Sequence, residues 1–145
     1  RLGASHGSDL RFNVSRTSGR ALYAFASKRE LGVDAEVVRP LPDMDSLARQ
    51  VFTAAELAEW LAVPRPDRVA AFFNGWTRKE AFVKALGQGL SFALDRFEVS
   101  LALEAEPRLL RVDLEAGPLS RWSLSAWQPE DGHQAALVVE NRGTV

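Results

Sequence analysis

Residues 76–90, WTRKEAFVKALGQGL, restrict this chain more than any other stretch. Trp76, Glu80 and Lys84 recur every fourth residue, so they share one face of a helix. Phe72, Phe73 and Val83 give the same helix an apolar side. Gly87 can adopt the left-handed backbone that commonly ends a helix, and Gln88-Gly89 continues as a turn. Lys84 falls in the last turn, where a cation suits the helix dipole. The helix therefore presents Glu80 and Lys84 at one point, and whatever they act on must come from elsewhere in the chain.

The surrounding pattern supplies the other elements. Residues 68–86 read as one helix, with Asp67 placed to cap it. Gly75 inside it costs about 1 kcal/mol relative to alanine, which predicts close packing or a bend there. Thr53 and Glu56 have capping-box spacing and open a helix to about residue 61, preceded by a short helix over 47–52. Upstream, residues 12–15 begin a short strand that breaks at 16–19. Residues 20–26 suit a strand buried on both faces, and 31–38 form the next. The short polar link 27–30 predicts that these two pair as an antiparallel hairpin. Downstream come strands over 97–103, 109–114, 122–127 and 135–139, with turns at Gly117-Pro118 and 129–132. Strands, then helices, then strands predict an α+β fold, with helices packed on an antiparallel sheet in a single domain over 1–145.

At 145 residues, 46% hydrophobic and 26% charged, the chain suits one core of a soluble globular domain. A net charge of −1 argues against general nucleic-acid affinity. Residues 1–30 nevertheless hold six Arg and Lys against two acids, a local patch that either meets a phosphorylated small molecule or stays solvated. No cysteine is present, so thiolate metal sites and disulfides are excluded. His6 and His133 sit in Gly-flanked, loop-like settings and are poor catalytic candidates. No apolar run is long enough to span a membrane and no signal peptide opens the sequence, so the expected location is cytoplasmic. The start at Arg1, without methionine and in a polar stretch, predicts a fragment of a longer protein.

Three constellations carry chemistry. In Gly32-Val33-Asp34-Ala35-Glu36, strand alternation puts Asp34 and Glu36 on one face, about 6–7 Å apart. Alone, the pair reads as a solvated strand face. With a hard divalent cation it becomes a site, and magnesium characteristically combines one or two carboxylates with substrate phosphates. Glu80 and Lys84 alone read as an exposed ion pair worth a few tenths of a kcal/mol. Ser15-Arg16-Thr17-Ser18-Gly19 can form a small anion-binding turn in which backbone N–H groups, hydroxyls and a guanidinium converge.

Together these residues resemble the 4′-phosphopantetheinyl transferases, of the larger type that activates non-ribosomal peptide and polyketide synthetases. FNVSRTSG at 12–19 is similar to the family's F-N-x-S-H-S-G, GVDAE at 32–36 to its G-[VI]-D-x-E, and 76–90 to its W-x-x-K-E-[AS]-x-x-K-x-x-G-x-G-L. Asp34 and Glu80 lie 46 residues apart, about the family's separation. The likeness is specific over about 12–100 and general beyond.

The resemblance implies transfer of the phosphopantetheine arm of coenzyme A to a serine of an acyl or peptidyl carrier protein. It implies Mg²⁺ at Asp34, Glu36 and Glu80, bridging the coenzyme A pyrophosphate. Two bases remain open, Glu80 itself and a metal-bound water held by Asp34. Lys84 would neutralise the pyrophosphate, Lys79 would add a phosphate or carrier contact, and Ser15 and Arg16 would hold coenzyme A phosphates. Trp76, Gly87 and Gly89 would be architectural. Arg16 departs from the family's histidine; arginine grips phosphate bidentately but cannot act as a neutral imidazole. Larger members are two similar halves with the site between them, so this chain corresponds to the C-terminal half and expects an N-terminal partner. A half-domain that binds coenzyme A or a carrier protein without catalysis is the alternative.

Overall fold

A computed structural model describes residues 9–87 and 93–143. Strands β1 (Leu10–Thr17) and β2 (Arg20–Ser27) form a hairpin. Strand β3 (Leu31–Val37) follows, then helices α1 (Met44–Val51), α2 (Ala54–Ala62) and α3 (Arg68–Leu86). The chain closes with β4 (Phe97–Val99), β5 (Leu109–Val112), β6 (Trp122–Trp127) and β7 (His133–Glu140). β3, β7 and β6 make an antiparallel sheet with β7 in the centre, and β4 pairs with β5. The expected class, helices on an antiparallel sheet, holds.

The expected pairing of β2 with β3 does not. β2 pairs with β1, because Ser18 and Gly19 both take positive φ (42° and 72°) and make the two-residue turn whose twist suits a hairpin. β3 pairs instead with β7, Asp34 opposite Ala136 and Glu36 opposite Gln134. Nor is β2 buried on both faces: Tyr23 and Phe25 are 56% and 62% exposed. The apolar run reflected an outward apolar face rather than a central strand. The strand expected over 97–103 ends at Val99, where pairing with β5 shifts register.

β1 lies beside the free edge of β3 without extending the ladder. The Val33 N–H donates to Asn13 Oδ1 (2.9 Å) and the Ala35 N–H donates to Ser15 Oγ (3.0 Å). Side chains thus satisfy the backbone donors of an edge strand, which would otherwise invite pairing with another chain.

Helix α3 packs across this sheet. A Cβ at Gly32 would sit 2.0 Å from the Ala81 carbonyl oxygen, so only glycine lets strand and helix backbones approach this closely. Phe82 anchors the contact, its ring centroid 4.7 Å from that of Phe97 and 5.5 Å from that of Trp122, over buried Ala136 and Val138. A second core joins α1, α2 and the first half of α3 through Phe52, Trp60, Phe72 and Leu101. Gly75 faces Phe52, as close packing requires. The Thr53–Glu56 capping box forms in both directions (2.9 and 3.2 Å). Asp67 takes the cap position of α3, but its side chain makes no capping bond. Among the described residues no helix is long and apolar enough to cross a membrane.

Candidate active site

The site lies where the Glu80 face of α3 meets the edge of β3. Strand alternation turns Asp34 toward α3, and only 6% of its side chain is exposed. The Lys84 ammonium donates to Asp34 Oδ1 (3.0 Å) and to the Val33 carbonyl (2.9 Å). The Ser15 hydroxyl also donates to Oδ1 (3.3 Å). Asp34 Oδ2 is buried without a partner. Glu36 receives a hydrogen bond from the Trp76 indole (3.3 Å), and Trp76 stacks on Phe72 at 11° between ring planes. The α3 face thus reaches the strand pair through Lys84 and Trp76, two turns apart, with Glu80 between them.

Electrostatics bind the carboxylates into one unit. Burial pushes the Asp34 carboxyl up to about 7 against the pull of Lys84, and Glu36 and Glu80 add to the rise. Glu80 is also raised, first by burial and then by Glu36, with Lys84 opposing. Two raised carboxylates with Glu36 beside them call for positive charge, and one ammonium only partly supplies it. As they stand, no three His, Cys, Asp or Glu side chains among the described residues converge in metal-ligand geometry.

Beside Glu36 opens a cleft of about 420 Å³, lined by Thr17, Ser18, Arg39, Leu47, Phe72 and Trp76 among others. The turn of the FNVSRTSG motif therefore reaches the same opening as the strand carboxylate. Arg39 adds an exposed cation that the sequence reading passed over; its position two residues beyond the D-x-E strand was the available signal.

Other expected site residues stand elsewhere. Lys79 is fully buried, ion-paired to Glu56 (2.9 Å) and donating to the carbonyls of Leu94 (2.6 Å) and Phe97 (2.7 Å). That ammonium is spent on internal partners and presents no surface for the expected phosphate or carrier contact; it faces away from Glu80 because adjacent helix positions are about 100° apart. Ser15 is buried and spends its hydroxyl on Asp34 and the Ala35 N–H, so it touches the site through the carboxylate. Arg16 is exposed and makes no hydrogen bond or ion pair among the described residues. Gly87 ends α3 with φ 68°, while Gly89 lies outside the described residues. Asn13 was missed as a structural partner although FNVS contains it.

A family model described as the 4′-phosphopantetheinyl transferase superfamily matches residues 30–138, which include Asp34, Glu36, Glu80 and Lys84. The chain belongs to this family. Among curated members it is similar to the 4′-phosphopantetheinyl transferase HetI of Nostoc sp., 35% identical over 136 residues, 94% of this chain and 54% of that one. It is 33% identical over 93 residues to Sfp of Bacillus subtilis, 64% of this chain and 40% of that one. The chain spans about half the length of the curated relatives it matches. Among solved structures, holo-[acyl-carrier-protein] synthase of Thermotoga maritima superposes with a TM-score of 0.60 at 26% identity, over 78% of this chain and 63% of that one. The Chronobacterium ammoniagenes synthase–coenzyme A complex matches at 0.57 and 20% identity, over 79% of this chain and 98% of that one; it carries the fold alone.

Proposed function

We propose that the protein containing this chain transfers the 4′-phosphopantetheine arm of coenzyme A to a serine of an acyl or peptidyl carrier protein in the cytoplasm, with Mg²⁺ held by Asp34, Glu36 and Glu80. The observation that carries this reading is the buried, unpartnered Asp34 Oδ2 within a mutually repelling carboxylate set, beside a cleft that the FNVSRTSG turn also lines.

The donor types suit the metal, although the three side chains do not yet converge on one point. Three carboxylates would supply hard oxygen ligands, and a cation there would offset the cost that burial, and then mutual repulsion, puts on ionising Asp34 and Glu80. When bound, Mg²⁺ supplies charge withdrawal as the pyrophosphate bond breaks. Glu80 takes the carrier serine proton, a role that its raised basicity suits. The serine oxygen forms a bond to the pantetheine-bearing phosphorus. The P–O bond to the nucleotide breaks, and its electron pair leaves on adenosine 3′,5′-bisphosphate. Lys84, 28% exposed and anchored on Val33 and Asp34, offers its ammonium to the leaving phosphate. Arg39, which lines the cleft, and Arg16, exposed on the strand that leads into the turn, would serve the remaining phosphates. Ser15 orients Asp34.

The chain covers 98% of a small synthase but only about half of the curated transferases, which supports reading it as one of two similar units. Arg16 in the family's histidine position favours a second reading, a half-domain that binds coenzyme A or a carrier protein without transfer. The test is mass gain on an apo-carrier protein incubated with coenzyme A and the longer enzyme. Glu80→Gln is expected to lower the rate at least about 100-fold. Near-normal turnover in that variant removes Glu80 as the base. Mg²⁺-dependent coenzyme A binding with no transfer selects the second reading.

A further inference from the structure

On the flank of α3 away from Glu80, a cleft of about 410 Å³ opens between the helix, the end of β6 and the loop after β4. Its volume falls in the range of small-molecule sites. Arg78 lines it and is only 4% exposed. One guanidinium nitrogen, Nη1, is held by the Ser100 carbonyl and hydroxyl. Nε is buried without a partner, and no carboxylate among the described residues lies within ion-pair distance. Burial lowers the Arg78 pKa to about 10, with Glu59 opposing from beyond contact, so the group is still charged at neutral pH.

A buried charge without a counter-charge is unusual, since such groups are normally paired. Two further buried polar side chains face the same cleft. Gln134 is 8% exposed and makes no side-chain hydrogen bond among the described residues. Asn74 is 5% exposed, and its amide has one long bond, to the Leu101 carbonyl at 3.4 Å. At the mouth stand Leu103 and Trp127, 42% and 38% exposed. A buried cation, two amides with unused bonding capacity and an apolar rim form a built site rather than a surface dent.

We propose that this cleft binds a small organic carboxylate, its carboxylate facing Arg78 and Gln134 and its apolar part resting on Leu103 and Trp127. Planar carboxylate on guanidinium is the favoured pairing, and an amide N–H completes it. The site lies across α3 from the acidic face, and its binding is independent of the transfer reaction.

The test uses the longer protein, with benzoate and hexanoate as probes and benzamide as the neutral control, followed by NMR titration. Saturable shifts of the Gln134 side-chain amide and the Trp127 indole N–H are expected with both carboxylates and not with benzamide. Arg78→Gln should abolish them. Because Arg78 is buried and that variant can lose its fold, Gln134→Leu is the second test, expected to weaken benzoate about tenfold with the fold retained. Absence of saturation in the native protein, equal binding of benzamide, or undiminished benzoate binding in a folded Gln134→Leu overturns the proposal.

Discussion

Burial holds the Asp34 carboxyl at about 7, against 3.8 for the free side chain, although the Lys84 ammonium lies 3.0 Å away. Below about pH 4 both folded and unfolded chains carry this proton. As pH rises toward 7 the unfolded chain ionises first, so the Asp34 contribution to stability is lost across that window. At roughly 1.4 kcal/mol per unit the loss is on the order of 4 kcal/mol at most. Asp34→Asn should therefore show a flatter stability–pH profile than the native chain between pH 4 and 7, measured by urea unfolding without divalent ions. An unchanged profile would mean that Asp34 titrates normally. If Mg²⁺ binds as proposed, adding it should raise the melting temperature at pH 8 more than at pH 5, because protons compete for the carboxylates. That increment should vanish in Asp34→Asn. Lys79 belongs to a different account. Removing one member of a buried ion pair costs about 3–5 kcal/mol, so Lys79→Gln should unfold at markedly lower denaturant while the folded fraction keeps its KM for coenzyme A. A raised KM at normal stability would return Lys79 to the site.

The contact of α3 with β3 is what turns two weak local patterns into a site. It depends on Gly32, whose added Cβ would meet backbone atoms, Ala81 O at 2.0 Å and Ala85 N at 2.4 Å. At Gly75 the added Cβ would meet the Phe52 ring at 2.6 Å, and a ring can shift where a helix backbone cannot. Both substitutions to alanine crowd the core, but their sizes should differ. Gly75→Ala gains about 1 kcal/mol of helix propensity against an overpacking cost of about 1–3 kcal/mol. Gly32→Ala displaces the helix itself and should cost more than the whole of that range. Equal denaturation midpoints for the two variants would show that β3 and α3 are not in this register.

At the scale of the molecule, the cleft beside Glu36 is walled by the hairpin turn, the end of β3 and the helices, and the chain covers about half of its curated relatives. If, as proposed, the chain is one of two similar units and the other completes the cleft, the 145-residue chain alone should show little transfer, and supplying that second unit in trans should restore it. Full activity in the isolated chain would instead place the complete cleft within one unit or within a self-assembly of such units. The outward Tyr23 and Phe25 of β2 are large apolar groups left uncovered in this chain, which fits a surface normally packed against something else.

Much was legible because it is local. The 3.6-residue period and the glycine stop define α3 to the residue, and Thr53–Glu56 spacing defines the start of α2, since caps and periodicity act within a few positions of the chain. The D-x-E alternation likewise places Asp34 and Glu36 on one face from strand geometry alone. Pairing was not legible: β2 reads as apolar whether its partner is β1 or β3, and only the Ser18-Gly19 backbone and the place left beside β7 decide between them. The two lysines of α3 show the same boundary most sharply. Lys79 and Lys84 belong to one motif and one helix, yet Glu56, twenty-three residues before Lys79 and bonded to the Val99 N–H, captures the first, while Asp34 on β3 captures the second. Sequence determined which charges the helix carries; tertiary packing decided which became an internal brace and which faces the site, because burial and counter-charge are properties of the assembled neighbours.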